Sequence, residues 1–260
     1  RSTPVTVSGL TGTVAVAAGS SHSLVLLESG AVKAWGSNGN GQLGDGTVTA
    51  RSTPVTVSGL TGTVAVAAGS AHSLAVRSDG TVRAWGLNGN GQLGDGTTTQ
   101  RNSPGVVPGL TGVVAVAAGS AHSLALLSDG TVRAWGLNTY GQLGDGTTTQ
   151  RNSPVAVSGL ARAVSVTAGN NDTLALLPDG TARGWGLNTS GQLGDGTTTS
   201  RGAPTAVSGL AGVAALGAGG THVLAVGADG TVRAWGDNTY GQLGDGSLAM
   251  RSTPVLVYGL

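Results

Sequence analysis

The sequence contains no cysteine and no phenylalanine among its 260 residues, and it has one methionine and four histidines. The absence of cysteine excludes disulfide bonds, thiolate catalysis and cysteine-ligated zinc. It is compatible with a reducing or an oxidising compartment. The composition therefore leaves the localisation open.

Charge and long apolar segments are also scarce. The formal net charge is +1, from 13 basic and 12 acidic residues, and no basic run occurs. The electrostatic footprint of a nucleic-acid-binding or membrane-surface protein is therefore missing. No apolar run approaches the roughly 20 residues that cross a bilayer, and no charged-then-apolar leader opens the chain. We expect a soluble chain that binds neither nucleic acid nor membranes.

What the sequence does have is an internal repeat with a period of fifty residues. Each copy carries one tryptophan, followed by Gly-Gln-Leu-Gly-Asp-Gly, and the copies run from end to end without a composition break. A fixed period of this length indicates a repeat array that forms one structural unit. The tryptophans are Trp35, Trp85, Trp135, Trp185 and Trp235.

Each period predicts four short strands and no helix. In the second copy, residues 61–70 contain strand A, residues 72–77 form strand B and residues 81–85 form strand C. Asp79-Gly80 indicates a two-residue hairpin between B and C, with positive φ at both central positions. A polar, glycine-rich loop to Arg101 precedes strand D, which starts at Pro104.

Four strands per repeat favour an all-β fold, a β-propeller of five four-stranded blades. The predicted blades are residues 11–60, 61–110, 111–160, 161–210 and 211–260 of a single domain that spans residues 1–260. Residues 1–10 repeat as 51–60 and leave one extra strand. That strand either closes the ring by joining the strands of 211–250 or joins another molecule by strand exchange.

The run Val-Ala-Ala-Gly-Ser-Ala-His-Ser-Leu-Ala-Leu-Leu-Ser-Asp-Gly-Thr-Val-Arg-Ala-Trp-Gly-Leu-Asn (116–138), followed by Gly-Gln-Leu-Gly-Asp-Gly (141–146), resembles the repeat of the RCC1 (regulator of chromosome condensation) superfamily. The resemblance covers essentially the whole chain. It implies a β-propeller, commonly of seven blades, that serves as a nucleotide-exchange factor for small GTPases, a chromatin binder or a protein-interaction platform. Five repeats leave three possibilities: a five-bladed ring, an excerpt of a longer propeller, or an open arc completed by another molecule.

Three recurring side chains are interpreted as structural. The histidines begin strand B, where we expect each imidazole to bond backbone of its own or the next blade, with a ring of metal ligands as the alternative. The aspartates of Leu-Gly-Asp-Gly are expected to cap turns rather than to bind calcium, since each loop offers one carboxylate. The tryptophans are expected to pack between blades. The histidines are His22, His72, His122 and His222, with Asp172 in the fourth copy, and the aspartates are Asp45, Asp95, Asp145, Asp195 and Asp245.

No catalytic triad, phosphate-binding loop, cofactor motif or metal site stands out, so we expect a protein that is not an enzyme and needs no cofactor. Positions that vary between copies are free to serve a partner, and they fall in the C–D loop. Tyrosine is enriched at interfaces. The candidate partner-binding residues are Tyr140, Tyr240, Asn40, Asn90 and Asp237, and a second variable set is Val48/Ala50, Gln100, Gln150, Ser200 and Leu248/Met250.

The function predicted from these observations is a rigid interaction or scaffold module with an unidentified protein partner, an inference that rests mostly on fold analogy. Two alternatives stay open. One is a guanine-nucleotide exchange factor for a small GTPase. The other is a structural protein that assembles with itself through the surplus terminal strand, which would make it a homo-oligomer.

Overall fold

The computed structural model describes residues 3–259, and every regular element in that part of the chain is a β-strand. No helix that could span a membrane occurs among these residues. The twenty strands form five antiparallel sheets, and each sheet consists of four consecutive strands in the order A-B-C-D. The predicted all-β propeller of five four-stranded blades is confirmed.

We number the sheets as blades 1 to 5. Blade 1 contains β1 (Thr13–Ala18), β2 (His22–Leu27), β3 (Val32–Gly36) and β4 (Arg51–Thr56). Blade 2 contains β5 (Thr63–Ala68), β6 (His72–Arg77), β7 (Val82–Gly86) and β8 (Arg101–Val106). Blade 3 contains β9 (Val113–Ala118), β10 (His122–Leu127), β11 (Val132–Gly136) and β12 (Arg151–Ala156).

Blade 4 contains β13 (Ser165–Ala168), β14 (Asp172–Leu176), β15 (Ala182–Gly186) and β16 (Arg201–Ala206). Blade 5 contains β17 (Val213–Ala218), β18 (His222–Gly227), β19 (Val232–Gly236) and β20 (Arg251–Leu256). The A strands lie innermost, because the turns that follow them surround one central cavity. Each blade contributes three residues to it, such as Ala118, Gly119 and Ser120 of blade 3.

Strand B is apolar on both faces because a blade lies on either side of it. In β10 the first five of six residues are buried, including Leu124 and Ala125. Leu124 packs against blade 4, while Ala125 packs against blade 2. Side chains that alternate across the strand thus supply two different interblade cores.

Four hydrophobic clusters join blades 1 and 2, 2 and 3, 3 and 4, and 4 and 5. Within residues 3–259, no such cluster joins blade 5 to blade 1. Leu224 of blade 5 is 39% exposed, whereas its equivalents in the other four blades, such as Leu174, are fully buried. The five blades therefore form an open arc around the central cavity.

The hairpin between strands B and C differs from the two-residue prediction. Gly80 N–H donates to the Arg77 carbonyl, and Arg77 N–H donates to the Thr81 carbonyl, so three residues form the loop. Gly80 alone has positive φ, at +75°, because Asp79 Oδ1 accepts the N–H and hydroxyl of Thr81 and stays in the right-handed region. This is the three-residue loop in which a type I turn precedes a left-handed glycine.

The other differences concern strand D. It begins earlier than Pro104, at Arg101, because Arg101 pairs with Gly86 at the end of strand C. Residues 3–10 form no strand, although their sequence repeats as β4. A D strand pairs with the C strand before it, and all five C strands already pair with their own D strands. Residues 3–10 thus join no sheet in the described part of the chain, residues 1 and 2 lie outside the described residues, and ring closure and strand exchange stay predictions.

Candidate protein-interaction face

The A–B turns and the C–D loops lie at the same end of every blade, because A and C run toward that end and B and D leave it. We call this end the loop face. In blade 3 it comprises residues 119–121 and 137–150, and the other blades repeat it at fifty-residue intervals. The loop face carries all of the variable positions singled out in the sequence.

One buried asparagine organises each C–D loop. Asn138 Nδ2 lies 3.2 Å from Asp145 Oδ1, 3.1 Å from the Thr147 carbonyl and 3.0 Å from the Thr149 carbonyl. Asn138 Oδ1 accepts the N–H of Leu143 at 3.0 Å. A single side chain thus pairs with the backbone of Leu143, Thr147 and Thr149 in a long loop without strands, which ties distant parts of the loop together.

The aspartate of each loop is held in place from several sides. Asp145 Oδ1 accepts the N–H and hydroxyl of Thr147, and Asp145 Oδ2 lies 2.8 Å from a terminal nitrogen of Arg151. Burial acts to raise the pKa of Asp145, but the hydrogen bonds from Thr147 and Arg151 outweigh it and keep that pKa below its ordinary value. Asp45, Asp95, Asp195 and Asp245 have the same partners in their own blades. The acidic side chain connects the loop to the start of strand D.

Four of the five predicted partner-binding positions lie at the tips of these loops, on blades 1, 2, 3 and 5. The backbone N–H groups of Asn40, Asn90, Tyr140 and Tyr240 donate to the Oε1 of the glutamine two residues later. Their backbones are thus fixed while their side chains vary. Tyr140 is 42% exposed and Tyr240 is 89% exposed, while Asn40 and Asn90 are half-buried.

Asp237 differs from the other candidates because its side chain is hydrogen-bonded within its own loop. Its Oδ1 caps Thr239, and its Oδ2 accepts Gln242 Nε2 at 2.9 Å. These bonds, with the side chain of Thr239 first, hold the pKa of Asp237 below its ordinary value. We interpret Asp237 as a support of the blade 5 loop.

Blade 5 carries the most apolar part of the loop face. Leu248 is 70% exposed and Met250 is 51% exposed, next to the C–D loop that carries Tyr240. Blades 2 and 3 have threonine and glutamine at these two positions. Grouped apolar side chains on a rigid loop favour contact with another macromolecule over water.

The histidines connect neighbouring blades beneath the loop face. His72 Nε2 lies 2.9 Å from Ser123 Oγ of the next blade, and Ser123 Oγ lies 2.8 Å from the Gln92 carbonyl. The Ser123 hydroxyl has one proton and donates it to the Gln92 carbonyl. The imidazole of His72 therefore donates from Nε2 to Ser123 Oγ. His22 and His122 repeat the arrangement with Ser73 and Thr173. The partner is a side-chain hydroxyl, not the backbone group expected from the sequence.

These imidazoles are held neutral. Burial lowers the pKa of His22 and of His122 to about 4, and it lowers the pKa of His72 to about 3, with smaller contributions from the two neighbouring histidines. The Nδ1 atoms of all three have no hydrogen-bond partner among the described residues. A proton there would be buried without an acceptor, which opposes the charged form.

The interface between blades 4 and 5 lacks this arrangement. Asp172 replaces histidine, and Val223 replaces the hydroxyl residue. Asp172 is 1% exposed, and neither of its carboxylate oxygens has a partner in the described chain. Burial raises the pKa of Asp172 well above its ordinary value. Burial therefore opposes ionisation of this carboxyl group.

The tryptophans also join successive blades. Trp135 is fully buried, and its Nε1 donates to the Gln92 carbonyl of the preceding blade at 2.9 Å. Trp85, Trp185 and Trp235 make the same bond to the blades before them. Gly44 lies under Trp85 with φ +68°, and a Cβ there would sit 2.7 Å from the indole Nε1. Trp35, which has no blade before it, is half-buried.

Within residues 3–259, no three histidine, aspartate or glutamate side chains are grouped so that they could hold a metal ion. Sequence reasoning missed the loop asparagines and the hydroxyls of Ser73, Ser123 and Thr173. The asparagine could have been found, because it stands at the same place in all five copies: Asn38, Asn88, Asn138, Asn188 and Asn238.

Comparisons with known proteins agree with this architecture. The family model described as the RCC1-like domain matches residues 1–260. Human WBSCR16 superimposes with a TM-score of 0.85 at 28% identity, covering 95% of this chain and 67% of that one. Prp20p from Saccharomyces cerevisiae, crystallised in a study of its binding to Gsp1p and histones, gives a TM-score of 0.80 at 26% identity, with 95% and 66% covered.

A search of curated proteins found no significant match. The chain spans about two thirds of the length of the two structural neighbours. The family model nevertheless covers every repeat, and the repeats build the four-stranded blades that the resemblance implied. The chain belongs to the RCC1-like domain family.

Proposed function

We propose that the chain is a non-enzymatic propeller module that binds a protein partner through its loop face. The observation that carries the proposal is the contrast between a fixed loop backbone and variable, exposed side chains at its tips. Tyr240, Leu248 and Met250 are more than half exposed, although the Asn238 side chain bonds Asp245 and the carbonyls of Ser247 and Ala249 in the loop that positions them. Pre-ordered aromatic and apolar anchors lose little entropy on binding.

Family membership supports the same proposal. Prp20p, whose reported partners are the proteins Gsp1p and histones, shares this architecture. The chain described here has a net charge of +1 and no basic run, so charge does not favour a nucleic-acid ligand. We assign recognition to the loop face because it presents Tyr140, Tyr240 and Leu248.

The test is affinity capture followed by direct binding with purified proteins. A loop variant combines Tyr140→Ser, Tyr240→Ser, Leu248→Thr and Met250→Gln, each of which is the residue of another copy. A control variant carries Ser78→Ala and Ser128→Ala in the B–C hairpins at the opposite end. We expect a partner that binds the wild type and the control but loses at least tenfold in affinity with the loop variant. A partner that binds all three proteins equally would contradict the proposal.

The alternative function, nucleotide exchange on a small GTPase, rests on the similarity to Prp20p. One assay distinguishes it from binding alone. A protein that only binds leaves the release of labelled GDP from small GTPases unchanged. An exchange factor accelerates release at substoichiometric amounts. Acceleration that the loop variant abolishes would replace the scaffold proposal with the exchange function.

A further inference from the structure

The interface between blades 4 and 5 lacks a side chain that the other internal interfaces have. The position at the end of strand B is Arg77 in blade 2, Leu127 in blade 3 and Leu177 in blade 4. Leu127 and Leu177 pack into the core shared with the preceding blade, and Arg77 Nε donates to the Thr61 carbonyl of the segment that joins blades 1 and 2. In blade 5 the position is Gly227. Glycine within a strand often marks a site where a ligand or another segment approaches closely.

The space beside Gly227 is a cavity of about 240 Å³, at the hairpin end of blade 5 and on the side that faces blade 4. Its apolar lining repeats the lining that holds Leu127 in blade 3. The residues in the cluster around Leu127 include Leu110, Val113 and Ala125, and their equivalents in the cavity are Leu210, Val213 and Ala225. The cavity therefore fits a branched aliphatic group that comes from outside the chain, and burial of that group is favourable.

Two opposite charges also line this cavity, those of Asp229 and Arg233. Asp229 Oδ1 accepts the N–H and the hydroxyl of Thr231. These bonds, the backbone bond first, hold the pKa of Asp229 below its ordinary value, so its carboxylate is charged at neutral pH. Arg233 forms no ion pair in the part of the chain that the structure describes. The cavity thus offers a counter-charge to a cationic and to an anionic group of one ligand.

The carboxylate of Asp229 lies next to the vacant position. A Cβ on Gly227 would be 2.5 Å from Asp229 Oδ1. An aliphatic group that enters the cavity therefore carries its attached polar groups past this carboxylate, where a cationic group is stabilised. The same pair of charges occurs in blades 2, 3 and 4, but there a long side chain already occupies the position. These pairs are Asp79 with Arg83, Asp129 with Arg133, and Asp179 with Arg183.

We propose that the cavity beside Gly227 binds a free α-amino acid with a branched aliphatic side chain, such as leucine. The aliphatic group takes the place that Leu127 fills in blade 3. The α-ammonium group lies against the carboxylate of Asp229, and the α-carboxylate lies against the guanidinium of Arg233. A free amino acid has both charges, whereas a residue inside a peptide has neither. The site lies at the end of the blade opposite the loop face, so it goes beyond the proposed function and does not depend on it.

Three variants fill, spare or copy the cavity. Gly227→Leu fills it with the side chain found in blade 3, where leucine coexists with the same capping of Thr131 by Asp129. Gly217→Ala is the matched control, because it lies on strand A of the same blade, a Cβ there meets nothing within 4 Å, and it does not line the cavity. Leu127→Gly is the converse variant, which opens a cavity with the same apolar lining in blade 3.

The measurement is isothermal titration calorimetry with L-leucine. We expect one site in the wild type and in Gly217→Ala, loss of binding in Gly227→Leu, and a second site in Leu127→Gly. Asp229→Asn and Arg233→Gln should each weaken binding roughly tenfold, because each removes one charge-assisted hydrogen bond. 4-Methylpentanoate lacks the amine and isoamylamine lacks the carboxylate, so both should bind more weakly than leucine. Gly227→Leu should also raise the thermal unfolding midpoint by filling the cavity, which shows that this variant is folded.

Three results would overturn the proposal. The first is a wild type that shows no saturable binding of leucine even at tens of millimolar. The second is binding by Gly227→Leu that equals the wild type, which would place the ligand elsewhere. The third is equal binding of leucine, 4-methylpentanoate and isoamylamine, which would show that neither charge is used. The loop variant should bind leucine as the wild type does, so this result and the partner-binding result are distinguishable.

Discussion

The interface between blades 2 and 3 and the interface between blades 4 and 5 differ in their polar groups but share a buried tryptophan packed against the leucines of strand B. His72, Ser123 and the Gln92 carbonyl are linked in the first, whereas Asp172 and Val223 have no such link in the second. Both nonetheless hold a fully buried tryptophan bonded to the preceding blade at 2.9 Å. Blade docking therefore depends on the apolar faces and the indole, and the histidine and its hydroxyl partner adjust its strength and its response to pH.

The largest expected effect comes from the buried tryptophan that both interfaces share. Trp135→Ala and Trp235→Ala should each lower the free energy of unfolding by about 3–5 kcal/mol, because each removes a fully buried indole and leaves a cavity. Trp35→Ala is the control and should cost much less, since Trp35 is half-buried at the open end. Urea denaturation measures all three. A large difference between the two buried tryptophans would show that the interfaces are not packed alike.

The second prediction restores the missing hydrogen bonds. Asp172→His combined with Val223→Ser recreates the residues of the other interfaces, so the pair should stabilise the chain beyond the sum of the single changes, by about 0.5–3 kcal/mol of coupling. A double-mutant cycle in urea measures this energy. Coupling near zero would mean that the hydroxyl and the imidazole contribute nothing to docking.

The third prediction follows from the pKa of Asp172. Its folded pKa is raised above the ordinary 3.8, so stability is greatest below that value and is lost as the pH rises from 3.8 through the folded pKa. Asp172→Asn removes this loss, and its stabilisation relative to wild type should grow with pH and then level off. Unfolding midpoints across the pH range measure it. A difference that does not change with pH would show that the carboxyl is not titrating inside the fold.

The histidine interfaces should show the opposite pH dependence. The folded pKa of His122 is lowered from 6.5 to about 4, so its stabilisation is complete above 6.5 and is lost as the pH falls toward 4. His122→Gln should reduce this acid sensitivity, because glutamine has no proton to gain in that range. The check is the slope of the unfolding free energy against pH, and an unchanged slope would contradict the assignment.

The smallest expected effect comes from comparing a hairpin glycine of an internal blade with its equivalent in blade 5. Gly80 and Gly230 have positive φ in equivalent hairpins, at +75° and +82°. A Cβ on Gly80 would lie 2.7 Å from Gly112 N, while a Cβ on Gly230 would meet nothing within 4 Å. Gly230→Ala should cost about 1–2 kcal/mol from backbone strain alone, and Gly80→Ala should cost more. Equal thermal shifts would show that the next blade moves aside.

Much of the fold could be predicted from the sequence, because the information lies in short patterns that recur. The fifty-residue period, the apolar strand from His72 to Arg77 and the glycine after Asp79 are local signals. The loop length was wrong because the capping of Thr81 by Asp79 competes with the two-residue turn. The start of strand D at Arg101 was missed because it depends on pairing with Gly86.

The candidate site was less predictable, because the sequence identifies its residues but not what surrounds them in the fold. Tyr240 could be identified as variable, but its 89% exposure depends on what surrounds the loop tip, since Tyr140 in the equivalent loop of blade 3 is 42% exposed. The bond between Asp237 and Gln242 is likewise visible only in the folded loop. The hydroxyl partner of His72 lies 51 residues away in sequence, beyond the reach of any local pattern.

By itself the sequence determined the repeat unit, the four strands within it and the radial stacking of identical units, since identical faces can bury only against one another. Only the tertiary structure decided which faces are buried, because the contacts between blades join residues that are far apart in sequence, as His72 and Ser123 are at a separation of 51. Within residues 3–259, Leu224 and Val16 lie outside these contacts and are 39% and 74% exposed.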